Sequence, residues 1–315
     1  MEKSDKNEDK IDFSVVIPIY NEEDNIPELY RRLTNVMESL GSYEIIMVDD
    51  GSKDKSWNLI KEFHGNDRRV KGLIFSRNFG HHVAITAGLD YASGEAVILM
   101  DGDLQDPPEE IPKLYVRFKE GYDLVYGVRV ERQDNFFRKL SSHFFWKMIR
   151  ILSGFDIPEN QSMLRIMNKQ YLDNFKKFTE RNRFLAGLFA WAGFNQVSVK
   201  IEHAPRFGGK SKYNLWKMIK LTFHAVTSFS YFPLQVAGFA GLIISAISFA
   251  FGIWFIVRKL FFGIDVVGWA STMVTILFMG GVQLLVLGLI GEYLGRVFSE
   301  VQRRPLYLIK EAIYD

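Results

Sequence analysis

Acidic side chains occur in two short segments at a spacing that suits metal or nucleotide binding. One is Asp49-Asp50 in the run VDDGS, and the other is Asp101-x-Asp103 in the run MDGDLQD. Two carboxylates one residue apart in a turn can both hold Mg²⁺ or Mn²⁺, and such an ion in turn binds a diphosphate. The Asp49-Asp50 pair could accept hydrogen bonds from a base or a ribose. Taken singly, each segment is a weak signal, because Asp-Gly turns after strands are common and usually just solvated.

The segments around these carboxylates alternate between strand and helix patterns. Continuous apolar runs, which are typical of strands buried on both faces, occur at 13–19, 44–48, 70–75, 96–100 and 123–126. Helical patterns separate them at 26–40, 56–63, 81–92 and 109–119. Regular alternation of this kind predicts an α/β domain with a doubly wound, mostly parallel sheet.

Polar residues follow several of the predicted strands directly. Ligands of such sheets bind at the carboxyl ends of the strands. The first strand is followed by Tyr20-Asn21-Glu22 and the third by Ser76-Arg77-Asn78, while the second and fourth lead into the two acidic segments. Three strand ends are therefore acidic and one carries an arginine. Because carboxylates repel phosphates, a phosphate-binding site here needs a cation.

Composition and missing motifs disfavour or exclude several classes of function. The chain has 39 Lys and Arg against 37 Asp and Glu, for a formal net charge of +2, which disfavours a strongly basic nucleic-acid-binding protein. It has no Cys, which excludes disulfides, thiolate zinc sites and Cys nucleophiles. Neither a G-x-G-x-x-G after the first strand nor a G-x-x-x-x-G-K-[ST] is present. Dinucleotide oxidoreductases and P-loop NTPases are disfavoured on that ground.

Two stretches near the C-terminus are apolar enough to cross a membrane. Residues 221–257 and 266–291 contain no Asp, Glu, Lys or Arg. A spanning helix needs ~20 apolar residues, so we expect spans at about 236–257 and 267–288. The alternative, a pair of buried core helices, is disfavoured by the length and continuity of the runs.

The charges around the two spans predict their orientation. Only residues 258–265 separate them, so a hairpin is expected. Eight basic residues flank the hairpin at Lys210, Lys212, Lys217, Lys220, Arg296, Arg303, Arg304 and Lys310, against two in the turn. The excess of positive charge predicts that the N-terminal domain and both termini are cytoplasmic. Residues 1–10 are highly charged and lack the apolar stretch of a signal peptide.

These patterns divide the chain into five parts. They are a polar tail (1–11), an α/β domain (12–213), an interfacial amphipathic helix (214–232), two transmembrane helices (233–295) and a cytoplasmic C-terminal tail (296–315). The interfacial helix is inferred from apolar residues at helical spacing, with lysines outside that set. The small-residue pair Gly291-x-x-x-Gly295 is compatible with a homo-oligomer.

The acidic segments belong to a longer series of motifs whose order and spacing match a known enzyme family. IPIYNEEDNIPEL, VDDGSKDKS, SRNFGH and DGDLQDPPEEIP resemble the family 2 glycosyltransferases with a GT-A fold. The continuation through YGVRVERQDNFFRK, RFLAGLFAWAGF, APRFGGKSKYNLWK, the hairpin and LIGEYLGRVFSEVQRRPLYLI is similar to the polyprenyl-phosphate glycosyltransferases. That group includes bactoprenol glucosyltransferases and dolichol-phosphate mannose synthases. The resemblance extends from about residue 12 to the C-terminus.

The resemblance implies a role for each matching residue. The nucleotide would be bound by Pro18, Tyr20, Glu22, Asp49, Asp50, Arg77 and Asp101. The divalent metal, Mg²⁺ or Mn²⁺, would be held by Asp101, Asp103 and Gln105. The acceptor and diphosphate would be bound by Arg129, Arg138, Arg206, Lys210 and Lys212. For the two lysines, simple contact with anionic lipid headgroups is the alternative. Asp103 and Arg129 would be catalytic.

The implied reaction is inverting transfer of a hexose from a nucleotide-sugar to a polyprenyl phosphate. Glucose from UDP-glucose is favoured, with undecaprenyl phosphate in the inner (cytoplasmic) membrane as acceptor. The product would serve cell-envelope glycan synthesis or O-antigen modification. Mannose, an N-acetylhexosamine or an aminoarabinose-type sugar are alternatives, since small changes in the pocket switch the sugar.

One position departs from the family pattern. Relatives commonly carry an Asp, their proposed base, where this chain has Met163 in QSMLRI. Glu159 is a candidate replacement. A phosphate nucleophile is largely ionised near neutral pH (second pKa about 6), so a strong base is less necessary than for a hydroxyl.

The departure at Met163 leaves open a non-catalytic protein that binds nucleotide-sugars or anionic lipids. A processive synthase is disfavoured, because Q-x-x-R-W is absent and two spans are too few; hydrolysis or nucleotidyl transfer is disfavoured by the resemblance.

Overall fold

The chain forms two compact units in a computed structural model that describes residues 11–129, 160–181, 183–204, 231–262 and 268–314. The first unit comprises Met1–Leu215 together with Arg304–Asp315, and the second comprises Trp216–Arg303. The chain therefore leaves the first unit, forms the second, and returns to the first before its C-terminus.

An eight-stranded sheet is the framework of the first unit. Its strands are β1 (Phe13–Ile19), β2 (Tyr43–Asp49), β3 (Val70–Phe75), β4 (Ala96–Leu99), β5 (Leu124–Arg129), β6 (Gln161–Asn168), β7 (Gln196–Ile201) and β8 (Ile309–Ile313). Their order across the sheet is β7-β5-β6-β4-β1-β2-β3-β8. Within the described strands, β6 runs antiparallel to β4 and β5, β8 runs antiparallel to β3, and the other pairings are parallel. The predicted mostly parallel sheet is confirmed.

Helices pack on the two faces of this sheet, which is why β1 and β2 are buried along their whole length. The helices of the first unit are α1 (Ile26–Met37), α2 (Ser56–Asn66), α3 (His81–Tyr91), α4 (Ile111–Phe118), α5 (Lys169–Phe175) and α6 (Leu185–Trp191). A short 3₁₀ turn, Pro108–Glu110, precedes α4. The strand and helix patterns of the sequence thus correspond to observed elements, with differences of a few residues at their ends.

Helix α3 approaches the sheet closely at Gly88. A Cβ atom at this position would come within 2.3 Å of Val16 Cγ1 and 3.2 Å of Val48 Cγ2. A larger residue would push the helix away from β1 and β2, on which α3 packs. Glycine therefore fixes the depth of α3, whose first residue, His81, lies at the carboxyl ends of these strands.

The C-terminal residues of the chain complete the sheet. Strand β8 pairs antiparallel with β3, with Leu73 opposite Ala312 and Ile74 opposite Glu311. The sequence patterns place residues 296–315 in a tail, whereas the structure divides them between a helix and this edge strand. A short charged strand satisfies the backbone groups of β3 that would otherwise form an open sheet edge. Its pattern is too short to stand out in the sequence.

The second unit contains two long helices, α7 (Phe232–Phe262) and α8 (Trp269–Val301), which contact each other. Both are long and apolar enough to cross a membrane, with a mean hydropathy of 2.3 in each case and no burial within the structure. The prediction of two apolar helices that can form a hairpin is confirmed. Helix α8 continues beyond the predicted span, where Arg296 pairs with Glu292 at 3.0 Å one turn away. Residues 214–230 of the predicted interfacial helix lie outside the described residues.

Candidate active site

A cleft of about 370 Å³ opens at the carboxyl ends of β1, β2 and β4. We call it the carboxylate cleft. Its lining consists of Pro18, Ile19, Tyr20, Glu22, Asp50, Asn78, Gly80, His81, Ala84, Asp101, Gly102 and Asp103. The two acidic segments, which are about fifty residues apart in sequence, meet here because β2 and β4 flank β1 in the sheet.

Asp50 is held in the cleft by the loop that follows β3. Its carboxylate accepts a hydrogen bond from the backbone N–H of Phe79 at 2.6 Å and one from Gly80 at 2.9 Å. Burial raises the pKa of Asp50, and the two N–H groups partly offset that rise. The loop passes close to Gly51, whose φ is 70° and whose Cβ, if present, would lie 2.6 Å from the carbonyl carbon of Arg77. Glycine is needed there for both reasons.

Asp49 does not line the cleft, although it is adjacent to Asp50. Successive residues at the end of a strand point to opposite faces of the sheet. Asp49 is fully buried, and its Oδ1 accepts a hydrogen bond from the Ser52 N–H at 2.7 Å. Burial raises its pKa. The contacts of Asp49 therefore stabilise the turn, whereas Asp50 faces the space where a ligand can bind.

Asp101 and Asp103 form the opposite wall. Asp101 Oδ1 is buried, lies 3.3 Å from Nε2 of His81, and makes no hydrogen bond within the described part of the chain. Asp103 Oδ1 accepts a hydrogen bond from the Gln105 N–H at 3.1 Å. Leu104, which follows Asp103 in sequence, has a φ of 60° and a side chain that is buried in the core. This left-handed residue is the kind of local strain that concentrates at functional sites.

Two adjacent histidines at the start of α3, His81 and His82, have pKa values shifted in opposite directions. Burial lowers the pKa of His81, but the carboxylates of Asp101, Asp103 and Asp50 outweigh burial, and its net shift is upward. Burial, together with the neighbouring His81, lowers the pKa of His82 to about 4. His81 is thus the histidine whose protonated form the carboxylates of the cleft stabilise.

A second group of polar side chains lies at the same edge of the sheet, around Asp106. Arg129 donates from Nε and Nη2 to the two carboxylate oxygens of Asp106, each at 3.1 Å. The Ser162 hydroxyl also donates to Asp106, and His203 Nδ1 lies 3.5 Å from it. We call these four residues the Asp106 cluster. Burial lowers the pKa of Arg129, but the Asp106 carboxylate more than reverses this, and the guanidinium stays charged.

Strand β6 adds a buried arginine beside this cluster. Arg165 is 1% exposed, donates to the carbonyl oxygens of Ser162 at 3.0 Å and Met163 at 3.2 Å, and lies 4.0 Å above the ring of Phe189. Burial lowers its pKa to about 10. The sulfur of Met163 is 3.9 Å from Arg165 Nη2. Met163 therefore places a thioether, which cannot take a proton, beside Arg165.

The family model for glycosyl transferase family 2 matches residues 14–181, a segment that contains the carboxylate cleft and most of the Asp106 cluster. This chain belongs to glycosyl transferase family 2.

Relatives are similar to this glycosyltransferase over nearly its whole length. An uncharacterised glycosyltransferase of Synechocystis is 46% identical, with 96% of this chain and 95% of that protein aligned. A prophage-derived bactoprenol glucosyl transferase of Shigella flexneri is 42% identical, with 95% of this chain and 97% of that protein aligned. Among solved structures, a glucosyl-3-phosphoglycerate synthase of Mycobacterium tuberculosis aligns with a TM-score of 0.47 at 18% identity, over 70% of this chain and 79% of that one.

The donor groups of the cleft fit a divalent metal that arrives with a substrate. The described residues contain no group of three or more His, Asp or Glu side chains arranged to bind a metal alone. They do present Asp101 and Asp103, with one buried carboxylate oxygen of Asp101 lacking a hydrogen bond. Mg²⁺ is typically held by one or two carboxylates plus substrate phosphates and water. Two carboxylates of this glycosyltransferase therefore suffice for Mg²⁺ or Mn²⁺ on a diphosphate.

The structure places the residues predicted from sequence in several different environments. In the carboxylate cleft lie Pro18, Tyr20, Glu22, Asp50, Asp101 and Asp103. Outside its lining are Asp49, Arg77, Gln105 and Arg129. The Arg77 guanidinium lies 4.1 Å above the ring of Phe79, next to the lining residue Asn78. Outside the described residues are Arg138, Glu159, Arg206, Lys210 and Lys212.

Sequence reasoning missed five polar residues of this site. They are His81, Asp106, Ser162, Arg165 and His203. Asp106 carried a usable signal, since it is a third carboxylate in the run DGDLQDPP, directly before two prolines. His81 follows a predicted strand end by a few residues and could have been included on that ground. Ser162 and His203 carry no local signal, because only the pairing of β5 with β6 and β7 brings them to Asp106.

Proposed function

We propose that this glycosyltransferase transfers glucose from UDP-glucose to undecaprenyl phosphate, with inversion at the anomeric carbon and release of UDP. The observation that carries the proposal is the 42% identity over 95% of the chain to a protein named bactoprenol glucosyl transferase. The product, a polyprenyl-phosphate-sugar, would supply glucose for cell-envelope glycan or O-antigen modification. The carboxylate-lined cleft and the two helices that are long and apolar enough to cross a membrane support the same reaction.

The carboxylate cleft is the donor site in this proposal. Asp101 and Asp103 would hold a divalent metal ion, Mg²⁺ or Mn²⁺, whose charge would stabilise the diphosphate as it leaves. Asp50, fixed by the N–H groups of Phe79 and Gly80, accepts hydrogen bonds from the base or ribose. Pro18, Tyr20 and Glu22 complete the nucleotide side. Arg77, Asp49 and Gln105 support this wall from outside the lining.

The Asp106 cluster positions the acceptor phosphate. Arg129 is held on Asp106 through two of its nitrogens, Nε and Nη2. A guanidinium fixed in this way is pre-oriented for a phosphate oxygen, which lowers the entropic cost of bringing two anions together. Arg138, Arg206, Lys210 and Lys212 are proposed to join it from the segments that precede the membrane helices.

The nucleophile in this proposal is an ionised phosphate oxygen, and no side chain needs to act as a base. A phosphate monoester has a second pKa of about 6, so most of it is ionised near neutral pH. Met163 is tolerated for this reason. We expect Glu159→Gln to leave kcat unchanged. A fall in kcat of about 10²-fold or more would instead assign Glu159 as the base.

Placement in the inner (cytoplasmic) membrane follows from the same proposal. The two helices cross as a hairpin, with the catalytic domain and both termini in the cytoplasm, where UDP-glucose is available. The support is the distribution of basic residues: eight flank the hairpin, whereas its turn contains only Arg258 and Lys259. Labelling of single cysteines introduced into this cysteine-free chain tests it. Periplasmic accessibility of a cysteine near residue 310 would contradict it.

A donor screen tests the reaction. Full-length protein in detergent is supplied with undecaprenyl phosphate, Mg²⁺ or Mn²⁺, and in turn UDP-, GDP- and dTDP-sugars. We expect a glucosyl-phosphoryl lipid by mass spectrometry only with UDP-glucose, together with one UDP per lipid. Product with another sugar would replace glucose in the proposal. Binding of nucleotide-sugar without product from any donor would support the non-catalytic alternative that Met163 leaves open.

A further inference from the structure

The segment 307–314 packs against the strand end that leads into the carboxylate cleft. The Tyr307 ring stacks on Phe75, with centroids 5.2 Å apart and planes 18° apart. Its hydroxyl donates to Asp90 Oδ2 at 3.0 Å, which ties it to α3. The Ser76 N–H donates to the Leu308 carbonyl oxygen at 2.9 Å. The segment therefore contacts both the last residue of β3 and the first residue of the loop that follows.

That loop, residues 76–80, forms one wall of the cleft. The Phe79 ring meets Phe75 edge to face, with centroids 5.6 Å apart and planes 87° apart. The N–H groups of Phe79 and Gly80 hold the Asp50 carboxylate, and Asn78 lines the cleft itself. Contacts thus run without a break from Tyr307 through Phe75 and Phe79 to Asp50.

We propose that Tyr307 is a positioning residue for the Asp50 wall of the carboxylate cleft. Its ring fixes Phe75 and Phe79, and through them the two backbone N–H groups that orient Asp50. Tyr307 itself is not among the lining residues of the cleft, so it acts through the loop and not on the ligand. The proposal rests on the proposed function, in which Asp50 faces the donor nucleotide.

A purely structural role is the alternative, in which β8 only covers the edge of the sheet. In that case, loss of any aromatic contact of the segment would have the same effect. Tyr314 provides a matched control at the other end of the segment. Its ring stacks on Tyr91 with centroids 5.1 Å apart, and it makes no ring contact or hydrogen bond with the loop 76–80 within the described residues.

Hydrogen–deuterium exchange on the full-length protein in detergent tests the contact chain without any substrate. Tyr307→Ala should speed exchange of the Phe79 and Gly80 amides about 3- to 10-fold, the factor expected from losing one aromatic pair. Tyr307→Phe, which keeps the ring and loses the bond to Asp90, should restore slow exchange. Tyr314→Ala should leave these two amides unchanged.

Kinetics then separates positioning from general loosening. Tyr307→Ala should raise the KM for UDP-glucose about 3- to 10-fold, with kcat and the KM for undecaprenyl phosphate within about twofold of the parent values. Unchanged Phe79 and Gly80 amides, or an equal effect of Tyr314→Ala, would overturn the positioning role. If the parent protein makes no lipid product, the proposed function fails; amide exchange still decides the role of Tyr307.

Discussion

The carboxylate cleft and the Asp106 cluster lie at the same edge of one sheet and balance their charges in opposite ways. In the cleft, Asp50, Asp101 and Asp103 face open space, and the lining formed by the described residues includes no Lys or Arg; its histidine, His81, lies 3.3 Å from Asp101. In the cluster, Asp106 is buried and already paired with Arg129, Ser162 and His203. The cleft therefore needs a cation from outside before it can bind an anion. The cluster, in contrast, already contains a cation, Arg129.

The two regions also differ in how the chain builds them. The cleft residues come directly after parallel strands, so each sits within a few residues of a strand end. The cluster combines the end of β5, the start of antiparallel β6 and the residues after β7 with a residue that follows β4. All four positions reach the same edge only because β6 runs in the opposite direction. The proposed function assigns the two regions separate tasks, with donor binding in the cleft and acceptor positioning in the cluster.

Removal of a cleft carboxylate is expected to have the largest effect. Asp103→Ala should lower kcat/KM by about 10³-fold, because charge on the leaving diphosphate is no longer neutralised. The measurement is product formation across a Mg²⁺ or Mn²⁺ titration. Glu120→Gln, an exposed carboxylate that pairs with Arg117 at 2.6 Å, serves as the control and should retain full activity. Full activity of Asp103→Ala would contradict the proposal that Asp103 binds a metal ion in the cleft.

Neutralising the centre of the cluster should come next. Asp106→Asn leaves Arg129 without its carboxylate, and we expect a loss of about 3 kcal/mol in stability, typical of breaking a buried pair. The KM for undecaprenyl phosphate should rise, while the KM for UDP-glucose should change little. Thermal unfolding in detergent and steady-state kinetics measure the two effects.

A double variant shows whether the uncompensated charge is the cause. Asp106→Asn combined with Arg129→Met should regain much of the lost stability, since both partners of the pair are then neutral. It should not regain acceptor affinity. A KM for UDP-glucose that rises as much as the KM for the acceptor would show that the two regions do not have separate tasks.

The half-buried His82, which follows the lining residue His81, predicts a pH dependence of stability. The pKa of His82 is lowered from 6.5 to about 4, so the unfolded chain binds a proton that the folded chain does not between these values. Stability is then complete above about pH 6.5 and falls by about 2–3 kcal/mol as the pH decreases to 4. Unfolding midpoints from pH 4 to 7.5 measure it. A His82→Asn variant with an unchanged slope would assign the effect to other groups.

The smallest effect is expected from a conservative change in the cluster. Arg129→Lys keeps the positive charge and loses one of two hydrogen bonds to Asp106, which corresponds to about 1 kcal/mol. The KM for undecaprenyl phosphate should rise about fivefold, with kcat maintained. A loss as large as that of Asp103→Ala would mean that Arg129 contacts the reacting diphosphate and not only the acceptor.

Much of the fold was predictable because its signals are local. The apolar runs 13–19 and 70–75 coincide with β1 and β3, since a strand buried on both faces has few polar residues. The apolar runs near the C-terminus likewise predicted α7 and α8. Strand β8 was not predicted, because its residues, IKEAI, alternate weakly and are stabilised by pairing with β3.

The cleft was more predictable than the cluster for a related reason. Asp50, Asp101 and Asp103 follow strand patterns directly, and parallel strands end at a common edge. That Asp49 would face away from the cleft while Asp50 faces it depended on the exact end of β2. The pairing of Arg129 with Asp106 required two segments over twenty residues apart to meet, which no local pattern encodes.

The sequence by itself determined the family, the alternation of strands and helices, the acidic strand ends and the two apolar helices. These depend on residue type and near-neighbour spacing. Only the tertiary structure decided which carboxylates face the cleft, that Asp106 is a buried partner of Arg129, and that the C-terminus returns to the sheet beside the loop 76–80. Those facts depend on strand order and direction, and hence on contacts between residues far apart in the chain.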